Sequence, residues 1–277
     1  MPSSDHRWRL VLSGNPSAWI KRRGVGSATR FSAAIPILRI MSTLTRDRRP
    51  ELMDSPGLDE RRHRRALDAL GRINRVSRCA GQLWSEIARR GAIPAEGTLR
   101  VLDLACGGGD VALALEARAW QRGVEAQIEG CDVSPLAVSR AREAAARRRS
   151  GARFFRADVL RDSVPSGFDV IYCTLFLHHL DEEDAVDLLR RMAAAARRMI
   201  VVQDLERGFS GFLLAWIGTR LLTRSGVART DGPLSVRAAF TRDEALALAD
   251  RAGLDAEVRR CWPCRFSLSW SRSRAAS

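Results

Sequence analysis

The segment Val101-Leu-Asp-Leu-Ala-Cys-Gly-Gly-Gly-Asp110 constrains this chain more than any other. An apolar strand carrying one carboxylate runs into three glycines and then into a helical pattern. Glycine at such a bend lets backbone N–H groups approach a ligand closely. The next two strands repeat the theme: Asp132 closes Ala126-Gln-Ile-Glu-Gly-Cys-Asp-Val-Ser134, and Asp158 closes Ala152-Arg-Phe-Phe-Arg-Ala-Asp158. Acids at three successive strand ends read as a nucleoside pocket. Each also has a plainer reading as a turn-forming or capping residue.

The surrounding pattern alternates. Strands are expected near 99–105, 126–132, 152–157, 168–174 and 198–203, with helices near 110–122, 135–149 and 182–197 between them. Such alternation implies a parallel sheet with helices on both faces and ligands at the carboxyl ends of the strands. Upstream, Leu67, Leu70, Ile73, Val76, Ala80, Leu83 and Ile87 recur at helical spacing, which predicts a helix or helical pair. Downstream, a helix near 241–252 precedes two strands, 255–262 and 265–270, joined by a turn at Pro263. The chain therefore divides into an extension over 1–40, an N-terminal helical cap over 41–96, and an α/β domain over 97–277 with an insert at 204–240.

A chain of 277 residues with 45% hydrophobic content can bury a sizeable core. The net charge of +14 is unevenly placed, since residues 1–40 hold seven Lys/Arg against Asp5 alone, and Lys21 is the only lysine. Near-exclusive arginine with abundant alanine reads as coding bias, so the charge is not taken as a sign of nucleic acid. Residues 1–40 look like upstream sequence translated from an early start and are expected to be disordered and dispensable. The six cysteines lie at scattered positions, which fits a reducing, cytoplasmic setting. Cys261-Trp-Pro-Cys264 is far from any strand-to-helix turn of the redox type, and no metal is expected.

Two cofactor classes compete for the glycine bend, because Gly107-x-Gly109-x-x-Ala112 also fits a loose dinucleotide fingerprint. Asp103, two residues inside the first strand, tips the balance, since a carboxylate there can hold a ligand ammonium or its ordered water. Asp158 suits an exocyclic adenine amine. Phe168–Leu180 passes into Asp181-Glu-Glu-Asp184, acids suited to a helix start, and one such nucleotide unit is present. On these residues, over about 99–271, the chain resembles the class I S-adenosylmethionine-dependent methyltransferases. Asp103-x-Ala-x-Gly-x-Gly109 is similar to that family's first motif, with Ala105 where a glycine is usual. The finer likeness is to ubiquinone- and menaquinone-type small-molecule methylases and to methyltransferases that act beside polyketide synthases.

The resemblance implies a Rossmann-like, seven-stranded, mostly parallel sheet whose last strand is antiparallel. It implies S-adenosyl-L-methionine as cofactor, with Asp103, Ala105, Gly107 and Gly109 toward its methionine part. Asp132 and Val133 would hold the ribose, Asp158 and Val159 the adenine, and Thr174 and Leu175 would border the methyl group. By likeness to plant phenolic O-methyltransferases, His178 is a candidate general base, weighed against a structural histidine bonded to backbone. His179 and Arg237 are candidate acceptor contacts, although a helix-end arginine is the plainer reading of the latter. The apolar stretch Phe209–Leu222 suggests a greasy small-molecule acceptor of phenol, quinol or polyketide type, or contact with a bilayer surface. Two alternatives stay open, an RNA methyltransferase and a non-catalytic cofactor-binding partner. Against the first, no Asn/Asp-Pro-Pro-Tyr follows the fourth strand. Acceptor identity, the methylated element and oligomeric state are not legible.

Overall fold

The computed structural model describes residues 45–55 and 57–272; the expected extension over 1–40 lies outside them. Among the described residues, seven strands form one sheet. They are β1 (Leu99–Leu104), β2 (Ala126–Asp132), β3 (Arg153–Arg156), β4 (Val170–Thr174), β5 (Met199–Leu205), β6 (Glu257–Cys261) and β7 (Arg265–Ser271). Their order is β3-β2-β1-β4-β5-β7-β6, and β7 runs antiparallel to both of its neighbours. The order reverses direction between β1 and β4, which opens the crevice where open α/β sheets bind ligands.

Among the described residues, eight α-helices accompany the sheet: α1 (Glu60–Val76), α2 (Cys79–Arg89), α3 (Asp110–Gln121), α4 (Pro135–Arg148), α5 (Glu182–Ala195), α6 (Phe209–Leu222), α7 (Gly226–Ala238) and α8 (Arg242–Arg251). Apolar residues of the strands feed two cores, one on each face. On one face Leu102, Leu104, Ile171 and Val202 pack with Leu188, Leu189 and Leu248; on the other Leu99, Val101 and Val201 pack with Leu83, Ile87 and Leu115. Local chemistry starts the helices. Ser134 caps α4 ahead of Pro135, Asp181 caps α5, and Thr241 with Glu244 forms a reciprocal capping box on α8.

The helical spacing read over 58–90 is a pair broken at Arg78, whose φ is 53°. The pair is tied down by a buried polar knot. Asn74 Nδ2 donates to Asp110 Oδ2 at 3.1 Å, while buried Arg265 of β7 donates to Asn74 Oδ1 at 3.4 Å and to Cys79 Sγ at 2.6 Å. Arg64–Glu143 at 3.1 Å and Arg140–Asp68 at 2.5 Å add ion pairs between α1 and α4. These pairs are partly solvated and contribute little each. Together the contacts lay α1 across the glycine bend, where a side-chain carbon added at Gly107 would meet Leu67 at 3.8 Å.

Gly109 is the tightest point of that bend. Its φ is 73°, and an added Cβ would stand 2.8 Å from the Phe154 ring and 2.9 Å from the Ala141 methyl. Gly109→Ala combines left-handed strain with overpacking, and is expected to cost about 3 kcal/mol in urea unfolding, with the midpoint moving and the slope unchanged.

Candidate active site

The first strand ends in a chain of unusual backbone angles. Ala105, Gly107 and Gly109 all have positive φ, at 54°, 52° and 73°. Asp132, at the end of β2, fixes this turn from the side. Gly107 N donates to its Oδ2 at 2.8 Å and Ser134 N to its Oδ1 at 2.9 Å. Each oxygen keeps a further lone pair for a ligand hydroxyl. Burial raises the Asp132 carboxyl above its ordinary range, and Asp54 adds repulsion that His63 opposes. The segment preceding α1 therefore reaches the same pocket.

Asp103 is 1% exposed, and neither carboxylate oxygen has a hydrogen-bond partner. Burial pushes it well above the usual carboxylate range. Tyr172, paired with it across β4, counters this in part, although the hydroxyl and the carboxyl make no well-formed hydrogen bond. Burying an unpaired carboxyl is costly unless something compensates for it. Asp158 instead builds a local turn, its Oδ1 accepting from Leu160 N at 3.0 Å and its own N donating to Asp162 at 2.8 Å. Val133 is exposed and Val159 buried. Thr174 ends β4, and Leu175 takes a φ of 55° while its N–H donates to Gln203 O at 2.9 Å. Cys106 is buried with its thiol pushed far up, a filler rather than a nucleophile.

His178 follows in a one-turn helix, Leu177–His179, and is 3% exposed. Its N–H donates to Asp204 Oδ2 at 3.0 Å, its Nδ1 lies 2.7 Å from Asp204 Oδ1, and its Nε2 lies 3.5 Å from Glu51 Oε1. Burial alone would lower the imidazole, but Asp204 and Glu51 outweigh it and raise it to about 10. Both carboxyls are held below their ordinary range by His178 despite burial. Both ring nitrogens of His178, the candidate general base, thus face carboxylates, Asp204 at Nδ1 and Glu51 at Nε2, a setting that favours the protonated ring. Arg237, a candidate acceptor contact, pairs with Asp47 at 2.5 Å. His179 has Nδ1 3.2 Å from Asp54 and is a quarter exposed.

Sequence reasoning missed Glu51, Asp204, Asp231 and Arg46. Asp204 carried a signal of the kind that picked out Asp103, an acid inside an apolar strand. Glu51 carried none, since it meets His178 only through tertiary contact. Around it, Ser235 Oγ donates to Glu51 Oε1 at 2.5 Å, and Asp231 accepts from the N–H groups of Leu52 and Met53 at 2.9 and 3.0 Å. Arg46 lies over the Phe240 ring and donates to the carbonyls of His178, Leu180 and Ala238. A cleft of about 820 Å³, lined by Arg75, Arg118, Arg148 and Arg260 among others, opens along α1–α3 beside the end of β6.

Two outcomes follow. Ala105→Gly relieves left-handed strain and is expected to stabilise the fold by about 1 kcal/mol in chemical denaturation. The raised His178 contributes stability that is complete below its ordinary 6.5 and is lost as pH rises toward about 10; the lowered Glu51 and Asp204 contribute above the ordinary carboxylate range and lose it in acid. Thermal melts of chelator-treated protein are expected to fall between pH 6.5 and 10, and His178→Gln to flatten that alkaline limb.

A methyltransferase domain model matches residues 101–198. The chain is similar to the demethylmenaquinone methyltransferase of Thermus thermophilus, 37% identical over 106 residues, which is 38% of this chain and 46% of that protein. It is also similar to the ubiquinone biosynthesis O-methyltransferase of Pseudomonas putida, 26% identical over 162 residues, 56% of this chain and 67% of that protein. The matched stretch thus spans about half to two thirds of these curated relatives. Among solved structures, magnesium protoporphyrin IX methyltransferase from Synechocystis with bound SAH superposes with a TM-score of 0.52 at 18% identity, over 71% of this chain and 83% of that one, and shares the fold. Residues 101–198 thus form a methyltransferase domain, and the motif and the sheet order agree with the class I S-adenosylmethionine-dependent type.

Proposed function

We propose that this protein transfers the methyl group of S-adenosylmethionine to a small lipophilic acceptor of the phenol, quinol or polyketide type. The observation that carries this is Asp103: a wholly buried carboxyl, both oxygens unpartnered, under a glycine bend at the switch point of the sheet. The ammonium of the cofactor's methionine part, directly or through one water, supplies the missing partner. A dinucleotide would leave that carboxyl without one. The cofactor's sulfonium activates the methyl group when bound, and the protein's work is alignment and exclusion of water. Asp132 offers its remaining lone pairs to the ribose, Asp158 and Val159 border the adenine, and Thr174 with the strained Leu175 forms the floor beneath the methyl group.

Asp132→Ala is expected to weaken S-adenosylmethionine binding by roughly ten- to a hundredfold in titration calorimetry, the loss of charge-assisted hydrogen bonds. A circular-dichroism melt controls for the Gly107 amide it also frees. Tighter binding of NADH than of S-adenosylmethionine by the parent protein would overturn the reading.

The acceptor's lipophilicity is argued from α6. That helix is apolar nearly all round, yet Phe209, Leu213, Leu214, Trp216, Ile217 and Leu221 are exposed, with Arg220 and Arg224 beside them. Among the described residues no helix is long and apolar enough to cross a membrane. An exposed apolar row flanked by arginine suits adsorption to an anionic bilayer from which a greasy acceptor is drawn. Leu213→Asp with Ile217→Asp is expected to abolish co-sedimentation with phosphatidylglycerol vesicles and leave S-adenosylmethionine affinity unchanged.

A further inference from the structure

We propose that Glu51, His178 and His179 form a site for a divalent transition-metal cation of the zinc type, at the edge of the cofactor pocket. One ligand atom from each residue lies within 4.8 Å of the other two. Glu51 Oε1 and His178 Nε2 are 3.5 Å apart, close to the separation of two ligands each about 2.1 Å from a tetrahedral ion. The set is two imidazoles and one carboxylate, which leaves a coordination position open, as catalytic rather than structural zinc sites do. Glu51 lies 127 residues before His178, so no local pattern in the sequence points to a metal.

The surroundings are those of a ligand set already oriented. A carboxylate stands at each imidazole: Asp204 Oδ1 is 2.7 Å from His178 Nδ1, and Asp54 Oδ2 is 3.2 Å from His179 Nδ1. Carboxylate-backed histidines are the common outer shell of metal sites, where they fix ring orientation and tautomer. The backbone is held as well, through Asp204 on the His178 N–H, Arg46 on the carbonyls of His178 and Leu180, and Arg48 on the carbonyl of His179. Ser235 Oγ holds Glu51 Oε1, so the carboxylate is not free to swing away. Glu51, Asp54, Asp204 and Asp231 bring four carboxyls into one neighbourhood, which favours a compact cation.

The cation would take the place that a proton fills on His178 Nε2 in its absence. Its position beside the end of β4 gives it a role that rests on the methyl-transfer reading. An acceptor hydroxyl entering the open position is acidified by the ion, and its proton passes to solvent, so that an oxygen nucleophile is prepared without a free histidine base.

The test is titration of chelator-treated full-length protein with zinc chloride, and separately with cobalt chloride, by calorimetry and visible absorption. The expected result is one saturable site per chain, with cobalt d–d bands and no thiolate charge-transfer band, which excludes Cys261 and Cys264 as ligands. Glu51→Gln is expected to weaken binding at least tenfold. His179→Gln, at the more exposed ligand, is expected to do the same without disturbing the buried His178–Asp204 pair, and so serves if Glu51→Gln fails to fold. Absence of a saturable site, a thiolate band, or affinity unchanged in His179→Gln overturns the proposal. S-adenosylmethionine affinity of the same metal-free protein is measured alongside; its absence overturns the methyl-transfer reading and leaves the metal result standing.

Discussion

The hydrogen bond from Gly107 N to Asp132 Oδ2 is the interaction on which the rest of this molecule depends. It joins the end of β1 to the end of β2 across a turn in which three of five residues have positive φ. Gly107 and Gly109 take such angles at no steric cost, whereas Ala105 costs about 1–2 kcal/mol, which the tie helps to hold. The tie also sets where α3 begins, and α3 carries Asp110 to the buried contact with Asn74 that docks the N-terminal helices. One carboxylate thereby couples the cofactor cradle to the cap that covers it. The coupling is direct, because α1 rests on the glycine bend itself through Leu67.

A second tie closes the other side of the pocket. His178 is held by Asp204 from the sheet and by Glu51 from the segment before α1, so a strand end and the N-terminal arm share one imidazole. Two carboxylates against one imidazolium leave an excess of negative charge in a buried place. Arg46 and Arg48 offset part of it, yet they bond to carbonyl oxygens and not to the carboxylates. That imbalance separates this cluster from ordinary structural ion pairs such as Arg207–Glu244, where charge and geometry close on each other at 2.6 Å.

The strands of the sheet were legible because each carries a short apolar run with its turn chemistry attached, as in Val101–Asp110 or Ser134-Pro135, while the antiparallel last strand was expected from the family resemblance. Asp103, Asp132 and Asp158, proposed for the cofactor side, stood out for the same reason: they lie at or near strand ends, where a local pattern and the topology point to one place. The acceptor side was not. His178 was visible as a histidine after a strand, but its protonation depends on Glu51 and Asp204, which no local pattern links to it. Arg237 looked available because its partner, Asp47, lies 190 residues away. Tertiary pairing thus gives both side chains partners that position along the chain does not show.

This difference follows from how the two halves of the pocket are built. The cofactor half is made by consecutive βα units, so its residues sit close together in sequence and report one another. The proposed acceptor half is assembled from the arm at 45–55, the turn after β4, the end of β5 and helix α7, segments far apart in the sequence. A sulfonium needs a dry, ordered surface around its methyl group. Closing that surface with a segment that is anchored mainly by polar contacts, Asp47–Arg237, Glu51–Ser235 and Asp231 with the 52–53 amides, gives the cap a hold that does not rest on the hydrophobic core. That arm can then vary in what it admits without disturbing the glycine bend and the strands around it.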